Sequence, residues 1–573
     1  MIGLNKIGLN QVQLNRLRLN APFPAYGKMA GGGGSGDGFP QLPGDVTRWH
    51  FGGLTNEMMA AMDDPRIEDA DHKGRFLSFK NFAWGGMSGV GGYVENYNNN
   101  RWFINSTIDA IKNGYSFKIT QVKQVAVQIQ YISLPSTAPY IVPSYRIKVT
   151  GLTDGQTFSY RLSDGANFPI VQDGVYELPE FEFSANGGWF GFQFNKVQES
   201  CNITIEQLPL YPGFILGDGV DDFAVTEKEL NFEDTYTVYT AFIPFQNNPA
   251  RNMILCGADS KKTFSMQYSS LVYVSFIAGN NYYINADFVN GLNLFACKRN
   301  GNNICIKNLL TNKVVTGTCG DWVENAGLYY LWKNATYASF ARAGIAGQII
   351  DNGHFTTDEE DENILNWHKK QYPWLFPDQA WTVTGKTNED EDRATIANIT
   401  GNGNDLVLSN FGFAEGSGYN EEGEYAGYLV TDGVDDKITS STFEMGNDWT
   451  VIGDWELINT GKNVNAGIVK FNSIVIYNYN PILINIKNGR NNLIPDQNTV
   501  NAICSDGRIY SKDWKESIYN EETESTSKNL LTIGYSGNSY TKIAFKNLAI
   551  YPTVLSKEDC IKAYNYLQTL KAK

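Results

Sequence analysis

Apolar and polar residues alternate over short stretches through much of the chain, and this period of two predicts β-strands. The alternation is clearest in residues 125–131 and 145–150, and bulky aromatic residues that favour strands crowd residues 181–194. Short strands at regular spacing are typical of an antiparallel sandwich. We therefore expect residues 46–210 to form a β-sandwich domain, with a short helix capped by Thr55 near its start.

Two later stretches show the longer period of an amphipathic helix. Each opens with a capping box, formed by Thr357 and Glu360 in the first helix and by Ser556 and Asp559 in the second. The apolar positions expected to pack on a sheet are Ile364, Leu365, Ile561, Tyr564, Leu567 and Leu570. Each helix follows a long run of alternating strands, so both are predicted to close a β domain.

The sequence Asp-Gly-Val-Asp-Asp occurs twice, at residues 218–222 and 432–436, and each occurrence opens one of these strand runs. The repetition predicts two related domains, residues 211–375 and 376–573. The second copy contains a Gly-Asn-Gly entry turn at residues 401–403, for which the first copy shows no counterpart.

The N-terminal residues repeat with a period of five, which fits neither a helical stripe nor a continuous strand. The repeat contains Leu4, Leu9, Leu14 and Leu19, and the same stretch carries Arg16 and Arg18. Since so short a segment cannot bury its own core, we expect residues 1–30 to be a pentapeptide-like docking arm that folds on a partner surface. The alternative is a disordered tail. Residues 31–45 are rich in glycine and are predicted to be a linker.

Three motifs resemble those of laminin-G-like, concanavalin A-like jelly-roll domains. Residues 545–559 resemble the last strand, turn and helix start of that family, residues 401–405 resemble its entry segment, and Asp-Gly-Val-Asp-Asp resembles its first strand. The resemblance covers residues 214–573. It implies two concanavalin A-like jelly rolls there, so the expected chain is all-β, with the antiparallel β-sandwich predicted above followed by these two jelly rolls. Each jelly roll would end in a short helix, and an extended N-terminal repeat arm would precede them all.

The order of these parts also resembles structural proteins of crAss-like tailed phages, whose virions carry fibres with a short docking arm followed by β-sandwich and lectin-like domains. Residues 82–89 and 381–388 have the same character. This resemblance implies a structural virion protein, a head or tail fibre, that docks through its arm and presents lectin-like domains for glycan adhesion. The alternatives are a non-viral glycan-binding lectin or adhesin and, third, a glycoside hydrolase.

Composition narrows the choice of function. The formal net charge of −15 argues against a general nucleic-acid binder, because phosphate binding needs clustered Lys and Arg. The seven cysteines are scattered and form no Cys-x-x-Cys pair, which indicates free thiols in a reducing compartment rather than zinc ligands. No apolar run approaches the ~20 residues of a membrane span, and no signal-peptide pattern is present. A virion protein made in the host cytoplasm fits these observations.

Two kinds of site residue are predicted. The first is a set of carboxylates that could chelate Ca²⁺, and it consists of Asp218, Asp221, Asp432 and Asp435. The alternative for these aspartates is a tight Asp-Gly turn with no ion bound. The second is a set of tyrosines that could stack on sugar rings, and it consists of Tyr282, Tyr283, Tyr477 and Tyr479. The alternative for the tyrosines is burial in the core. No other cofactor is expected.

Catalysis is not expected. Glycoside hydrolysis needs two carboxyl groups held ~5–10 Å apart across the scissile bond. The acidic runs 358–362 and 389–392 lie at a helix start and in a loop, where they are predicted to face solvent.

The expected partners are copies of the same chain, with a trimer favoured and a dimer next. Capsid or tail proteins would bind residues 1–30, and host-surface glycans would bind the jelly rolls. Neither nucleic acid nor membrane is expected as a partner.

Overall fold

The computed structural model describes most of the chain. The described residues are 38–132, 140–142, 145–153, 155–178, 181–183, 188–244, 252–257, 264–268, 271–278, 280–287, 291–322, 325–333, 340–401, 403–421, 423, 425–458, 467–471, 474–477, 482–486, 490–494, 500–511, 514, 516–518, 529–536 and 539–572. Strands account for 48% of the structure and helices for 8%, arranged as antiparallel sheets that form sandwiches, which confirms the predicted all-β class.

The described part begins with four strands and a short helix. Strands β1 to β4 are Asp45–His50, Arg66–Glu68, Phe76–Lys80 and Gly89–Val90. Helix α1, Asn56–Ala60, lies between β1 and β2. Its N-cap is Thr55, whose hydroxyl accepts a hydrogen bond from the Met58 N–H at 3.2 Å, as the sequence predicted.

A separate sandwich follows. Its strands β5 to β16 are Trp102–Ile104, Ile108–Asn113, Ser116–Val122, Val127–Ile132, Tyr140–Val142, Tyr145–Thr150, Phe158–Leu162, Asn167–Ile170, Gly174–Leu178, Phe181–Phe183, Trp189–Phe194 and Ile203–Gln207. They form two five-stranded sheets, in the orders β13-β10-β16-β7-β6 and β12-β11-β15-β8-β5, and a ribbon of β9 and β14. The alternating residues Ile129, Tyr131, Ile147 and Val149 are buried between the sheets, as predicted, whereas Val125 lies before β8 and is exposed.

The next strands complete the first jelly roll. Strands β17 to β30 are Ile215–Leu216, Phe223–Thr226, Leu230–Phe232, Thr235–Pro244, Asn252–Gly257, Phe264–Tyr268, Val272–Ala278, Asn280–Ala286, Asn293–Asn300, Asn303–Asn308, Lys313–Thr318, Asn325–Gly327, Tyr330–Leu331 and Ala343–Asn352. One eight-stranded sheet has the order β27-β26-β25-β20-β30-β17-β4, with β1 also paired to β30. The other has the order β2-β3-β18-β29-β21-β22-β23-β24, and β19 pairs with β28 separately. Side chains from both sheets, such as Phe79, Val238 and Leu331, fill the core between them.

The strand pairing divides the block expected at residues 46–210. β1 pairs with β30 and β3 with β18, so residues 45–90 belong to the sheets of the first jelly roll. β4 pairs directly with β17. The β5–β16 sandwich is therefore inserted between two adjacent strands of the jelly roll and does not precede it. The first jelly roll has its own entry turn, between β2 and β3, although the sequence analysis found no counterpart there. In this turn Asp69 accepts hydrogen bonds from the N–H groups of Lys73 and Arg75 at 3.1 and 3.0 Å.

The second jelly roll repeats the first without an insertion. Its strands β31 to β48 are Gln379–Thr382, Thr395–Ile396, Leu406–Ser409, Gly418–Tyr419, Leu429–Val430, Lys437–Phe443, Thr450–Leu457, Gly467–Phe471, Ile474–Tyr477, Ile482–Ile486, Arg490–Ile494, Val500–Cys504, Arg508–Ser511, Glu516–Ile518, Asn529–Ile533, Tyr535–Ser536, Ser539–Tyr540 and Ile543–Tyr551. The sheet orders are β34-β35-β48-β37-β42-β43-β44, with β31 paired to β48, and β32-β33-β36-β45-β38-β39-β40-β41. β46 and β47 form a separate hairpin ribbon.

Each jelly roll is followed by the helix that the sequence predicted. Helix α2 is Asp358–Gln371, and Thr357 and Glu360 form its capping box. Helix α3 is Lys557–Leu567, and the hydroxyl of its N-cap Ser556 accepts from the Asp559 N–H at 3.1 Å. The predicted apolar positions Ile364, Leu567 and Leu570 are buried, and Leu365 is half-buried. A short 3₁₀ helix, Pro373–Leu375, links α2 to the second jelly roll.

Helix α3 contacts the first jelly roll, and the end of β48 contacts the short 3₁₀ helix that follows it. The Leu292 N–H of the first donates to the Tyr566 hydroxyl at 2.7 Å, and the Tyr551 hydroxyl donates to the Trp374 carbonyl at 3.1 Å. The inserted sandwich reaches the same helix, because the Arg146 guanidinium lies 4.6 Å from the Tyr564 ring centre. One apolar cluster therefore continues from the first jelly roll into the second.

Candidate ligand-binding rim

The two Asp-Gly-Val-Asp-Asp segments form the same closed turn in both jelly rolls. Asp218 Oδ1 accepts from the Val220 N–H at 2.7 Å, and Asp222 Oδ2 accepts from the Asp218 N–H at 2.9 Å. In the second jelly roll Asp432 accepts from Val434 at 2.7 Å, and Asp436 Oδ2 accepts from Asp432 at 2.7 Å. The glycine in each turn has a left-handed φ, +79° at Gly219 and +76° at Gly433, which explains why glycine occupies this position.

A second loop supports each turn from the side. The Asn81 side-chain amide donates to the Asp221 carbonyl at 3.0 Å, and Asn410 donates to the Asp435 carbonyl at 3.0 Å. The Ser88 hydroxyl accepts from the Ala83 N–H, and the Ser417 hydroxyl accepts from the Gly412 N–H, both at 2.8 Å. These supports were missed by the sequence analysis. Their signal is a repeated Asn-Phe segment followed by Ser-Gly, at residues 81–89 and 410–418.

The last aspartate of each turn is fully buried. Burial raises the pKa of Asp222 to about 7, although the Ser88 hydroxyl and the Asp218 N–H oppose this shift. Burial likewise raises the pKa of Asp436. A carboxyl group enclosed in this way cannot contact a substrate, so both residues serve the turn.

The predicted calcium ligands are brought together by the turns. Within each triplet the nearest carboxylate oxygens lie within 4.8 Å of one another, and Asp221 and Asp435 are exposed. However, Asp218, Asp222 and their counterparts already accept backbone hydrogen bonds, whereas Ca²⁺ takes 6–8 oxygen ligands. The hydrogen bonds match the alternative reading, a tight turn. Calcium binding remains a prediction.

A lysine and two aromatic rings lie beside the turn in the first jelly roll. Lys333 Nζ lies 4.1 Å from the ring centre of Phe223 and 5.7 Å from that of Phe340. Phe223 follows the turn directly, and Lys333 pairs with Phe340 across a short bridge. All three are half-buried, so each ring keeps an accessible face. We call Asp221, Phe223, Lys333 and Phe340 the first rim.

The second jelly roll also places a lysine and two aromatic rings beside its turn, but the lysine and one of the rings have exchanged positions. Lys437 follows the turn directly, and its Nζ lies 6.0 Å from the ring centre of Tyr535. Tyr535 pairs with Tyr540, and their ring centres are 5.0 Å apart. Lys437 thus occupies the position of Phe223, and Tyr535 that of Lys333, because Ile438 pairs with Ile533 in β45 as Ala224 pairs with Leu331 in β29. We call Asp435, Lys437, Tyr535 and Tyr540 the second rim.

The tyrosines predicted from sequence lie elsewhere. Tyr282 and Tyr283 are in β24, the edge strand of its sheet, opposite Phe276 and Ser275. Tyr477 ends β39, opposite Gly467 and Leu483. Tyr479 lies outside the described residues. Their role in glycan binding stays a prediction.

The predicted docking arm also lies outside the described residues, and this includes Leu4, Leu9, Leu14, Leu19, Arg16 and Arg18. The arm therefore stays a prediction as well. Among the described helices, none has the length and hydropathy of a membrane span.

No protein-family model and no curated protein matches the chain. Among solved structures, the receptor-binding domain of botulinum neurotoxin mosaic serotype C/D aligns at 10% identity over 59% of this chain and 87% of that chain, with a TM-score of 0.27. The exoplasmic/lumenal domain of VIP36, in a Ca²⁺/Man3GlcNAc-bound form, aligns at 10% identity over 27% and 86%, with a TM-score of 0.20. The carbohydrate recognition domain of Emp47p aligns at 9% identity over 25% and 84%, with a TM-score of 0.19. Scores this low support no argument about function, so the fold assignment rests on the strand pairing.

Proposed function

We propose that this chain is a non-catalytic adhesion protein whose jelly rolls bind glycan at the first and second rims. The observation that carries the proposal is the repetition of one group of side chains beside the same turn in both jelly rolls. Each rim combines one lysine, two half-buried rings and an exposed carboxylate. The composition is the same although the lysine stands at a different position in each copy. A purely structural contact gives no reason for all three kinds of side chain to recur.

The chemistry of a sugar suits such a rim. The apolar face of a pyranose ring stacks on an aromatic face, and its hydroxyl groups donate to a carboxylate or accept from a lysine. In the second rim, the paired rings of Tyr535 and Tyr540 offer the stacking surface, and the exposed Asp435 offers the acceptor. Lys437 adds a donor. Because each rim is small, weak binding at several copies would give useful avidity.

Two carboxylates of the first turn support the non-catalytic part of the proposal. A glycosidase needs one carboxyl group with a raised pKa in contact with the sugar and a second across the scissile bond. The raised pKa in the first turn belongs to Asp222, which is fully buried. Asp218 accepts two backbone hydrogen bonds within the turn. Neither group is placed to protonate a glycosidic oxygen.

The test is a glycan array, with neutral and acidic sugars, probed with the full chain. A variant that combines Phe340→Ala and Tyr540→Ala removes one ring from each rim, and we expect its affinity to fall about tenfold or more. Phe103→Ala is the matched control, because this ring is 51% exposed and lies in the inserted sandwich. Unchanged binding by the rim variant, or an equal loss in the control, would refute the rims as the site. Loss only on Tyr283→Ala would favour strand β24 instead.

The larger assembly that we propose is a virion, in which the chain is a head or tail fibre docked by residues 1–30. The five-residue repeat of this arm, the glycine-rich linker and the resemblance to crAss-like phage fibres support the proposal. Deletion of residues 1–30 should leave a soluble, folded β protein that no longer joins the particle. Mass spectrometry of purified particles measures this, and normal incorporation of the truncated chain would contradict it.

We further propose that the fibre is a homotrimer, with a dimer as the next choice. A repeat arm that cannot bury its own core gains partners through symmetry. Light scattering on the full chain and on the chain lacking residues 1–30 tests this directly. A monomeric mass for the full chain in solution and in the particle would rule out the oligomer.

A further inference from the structure

At one equivalent place between the sheet and the terminal helix, the two jelly rolls carry different side chains. Strand register identifies the place: Lys298 lies opposite Thr237 across β25 and β20, and Cys504 lies opposite Thr450 across β42 and β37. Lys298 and Cys504 are therefore equivalent residues.

The two threonines confirm the equivalence by their hydrogen bonds. The Thr237 hydroxyl donates to the carbonyl of His354 at 3.1 Å and accepts from the N–H of Thr356, two residues further on, at 3.1 Å. The Thr450 hydroxyl donates to the carbonyl of Thr553 at 2.9 Å and accepts from the N–H of Leu555 at 2.9 Å. The same side chain thus holds the same segment before each terminal helix.

The helices supply the second member of each pair. Asp361 is the fourth residue of α2, and Cys560 is the fourth residue of α3. In the first jelly roll, Lys298 and Asp361 form a buried ion pair at 2.6 Å. In the second jelly roll, Cys504 and Cys560 occupy these two positions, and both belong to one buried apolar cluster. A thiol pair has thus replaced an ion pair in the contact between helix and sheet.

The two sulfur atoms lie in the same buried region of the second jelly roll. Both cysteines are fully buried. Cys504 Sγ lies 3.7 Å from the Thr450 hydroxyl, and Cys560 Sγ lies 4.0 Å from the Leu555 carbonyl. The Leu555 N–H donates to the Thr450 hydroxyl, so the two thiols contact residues that are hydrogen-bonded to each other.

We propose that Cys504 and Cys560 are an oxidative modification site, at which a disulfide links α3 to β42. The disulfide would do covalently what the Lys298–Asp361 ion pair does in the first jelly roll. The oxidant is a small disulfide such as oxidised glutathione. The Cys504 thiolate attacks one of its sulfur atoms and displaces one glutathione thiolate, and the Cys560 thiolate then attacks the Cys504 sulfur and displaces the second. Two protein thiols are oxidised, one disulfide reagent is reduced, and the two protons end on the two glutathione thiols.

The order of attack follows from the environment of the pair. The neighbouring Cys560 thiol lowers the pKa of the Cys504 thiol, whereas Cys504 and burial raise the pKa of Cys560. Cys504 is therefore the first nucleophile. Since both thiols are buried, the oxidant reaches them when α3, a helix of 11 residues, opens locally.

The test uses the folded full chain incubated with oxidised glutathione, then alkylated, digested and mapped by mass spectrometry. We expect one linked peptide pair, Cys504–Cys560, and an upward shift of several degrees in the unfolding temperature of the oxidised chain. Cys560→Ser should abolish both effects, whereas Cys201→Ser, a half-buried thiol of the inserted sandwich, should leave both unchanged.

Two results would overturn the proposal. One is that Cys504 and Cys560 both remain open to alkylation on later unfolding, under conditions in which the unfolded chain is fully oxidised. The other is a linked pair that involves a different cysteine. Should Cys560→Ser fail to fold, Cys504→Ser and the map of the unsubstituted chain decide the matter on the same criteria.

Discussion

Replacement of Asp361 by alanine removes the centre of a buried polar cluster under α2. Its carboxylate lies 2.6 Å from Lys298 Nζ and 3.1 Å from Lys307 Nζ. It also accepts from the hydroxyls of Tyr239 and Thr356 at 2.9 and 3.0 Å. The Lys298 side chain is only 3% exposed, so Asp361→Ala would leave its charge buried without the carboxylate that it contacts directly.

The expected loss is large because the remaining charge stays out of water. Removal of one partner of a buried ion pair costs about 3–5 kcal/mol, whereas an exposed pair contributes about 0–1 kcal/mol. A change of 1 kcal/mol shifts the unfolding temperature of a 150–250-residue domain by about 2–4 °C, so we expect a fall of about 6–20 °C in the transition of the first jelly roll. The matched control is Cys560→Ala, which alters the equivalent residue of α3 without exposing a buried charge and should cost about 1–2 kcal/mol.

Differential scanning calorimetry of the full chain measures both variants, because separate units can give separate transitions. The double variant Lys298→Met/Asp361→Leu removes both charges and should recover much of the loss. A fall for Asp361→Ala no larger than that for Cys560→Ala would refute the ion pair as the source of stability. A double variant less stable than Asp361→Ala would do the same.

Leu567 is buried where α3 meets the sheet, so Leu567→Ala should destabilise the second jelly roll by about 2–5 kcal/mol in calorimetry, while Leu530→Ala, at a 46% exposed position, should cost little. Burial raises the pKa of Glu95 to about 7, above the ~4.3 of an unfolded chain, so the folded state holds the proton more tightly. The stability of the inserted sandwich should therefore be highest below about pH 4.3 as far as this group is concerned, and should fall as the pH rises through 7. Glu95→Gln should flatten this dependence in denaturant titrations at pH 5 and 8, and an unchanged slope would contradict the assignment. Asp435→Asn should barely change the unfolding temperature if the aspartates only shape a turn, and loss of a calcium-dependent rise in that variant would show a metal site instead.

The local features of the fold could be read from the sequence. The N-caps Thr55, Thr357 and Ser556 were predicted because a cap depends on a few neighbouring residues. The Asp-Gly turn was predicted as one of two readings for the same reason, since its hydrogen bonds span only residues 218–222.

The candidate rims could not be read in the same way. Lys333 approaches Phe223, and Tyr535 approaches Lys437, from segments about a hundred residues further along the chain. The exchange of lysine and aromatic ring between the copies becomes visible only when the strand register shows which residues are equivalent.

The sequence by itself determined the all-β class, the repeated turn, and the two helices that close the repeated domains, because periodicity, capping and turn chemistry act over a few residues. Only the tertiary structure decided that residues 45–90 belong to the first jelly roll and that the β5–β16 sandwich is an insertion. A strand pattern states that one face will be buried but not which strand will pair with it, and β1 finds its partner β30 about three hundred residues away. The packing of each terminal helix on its sheet likewise brought Asp361 to Lys298 and Cys560 into the same buried cluster as Cys504.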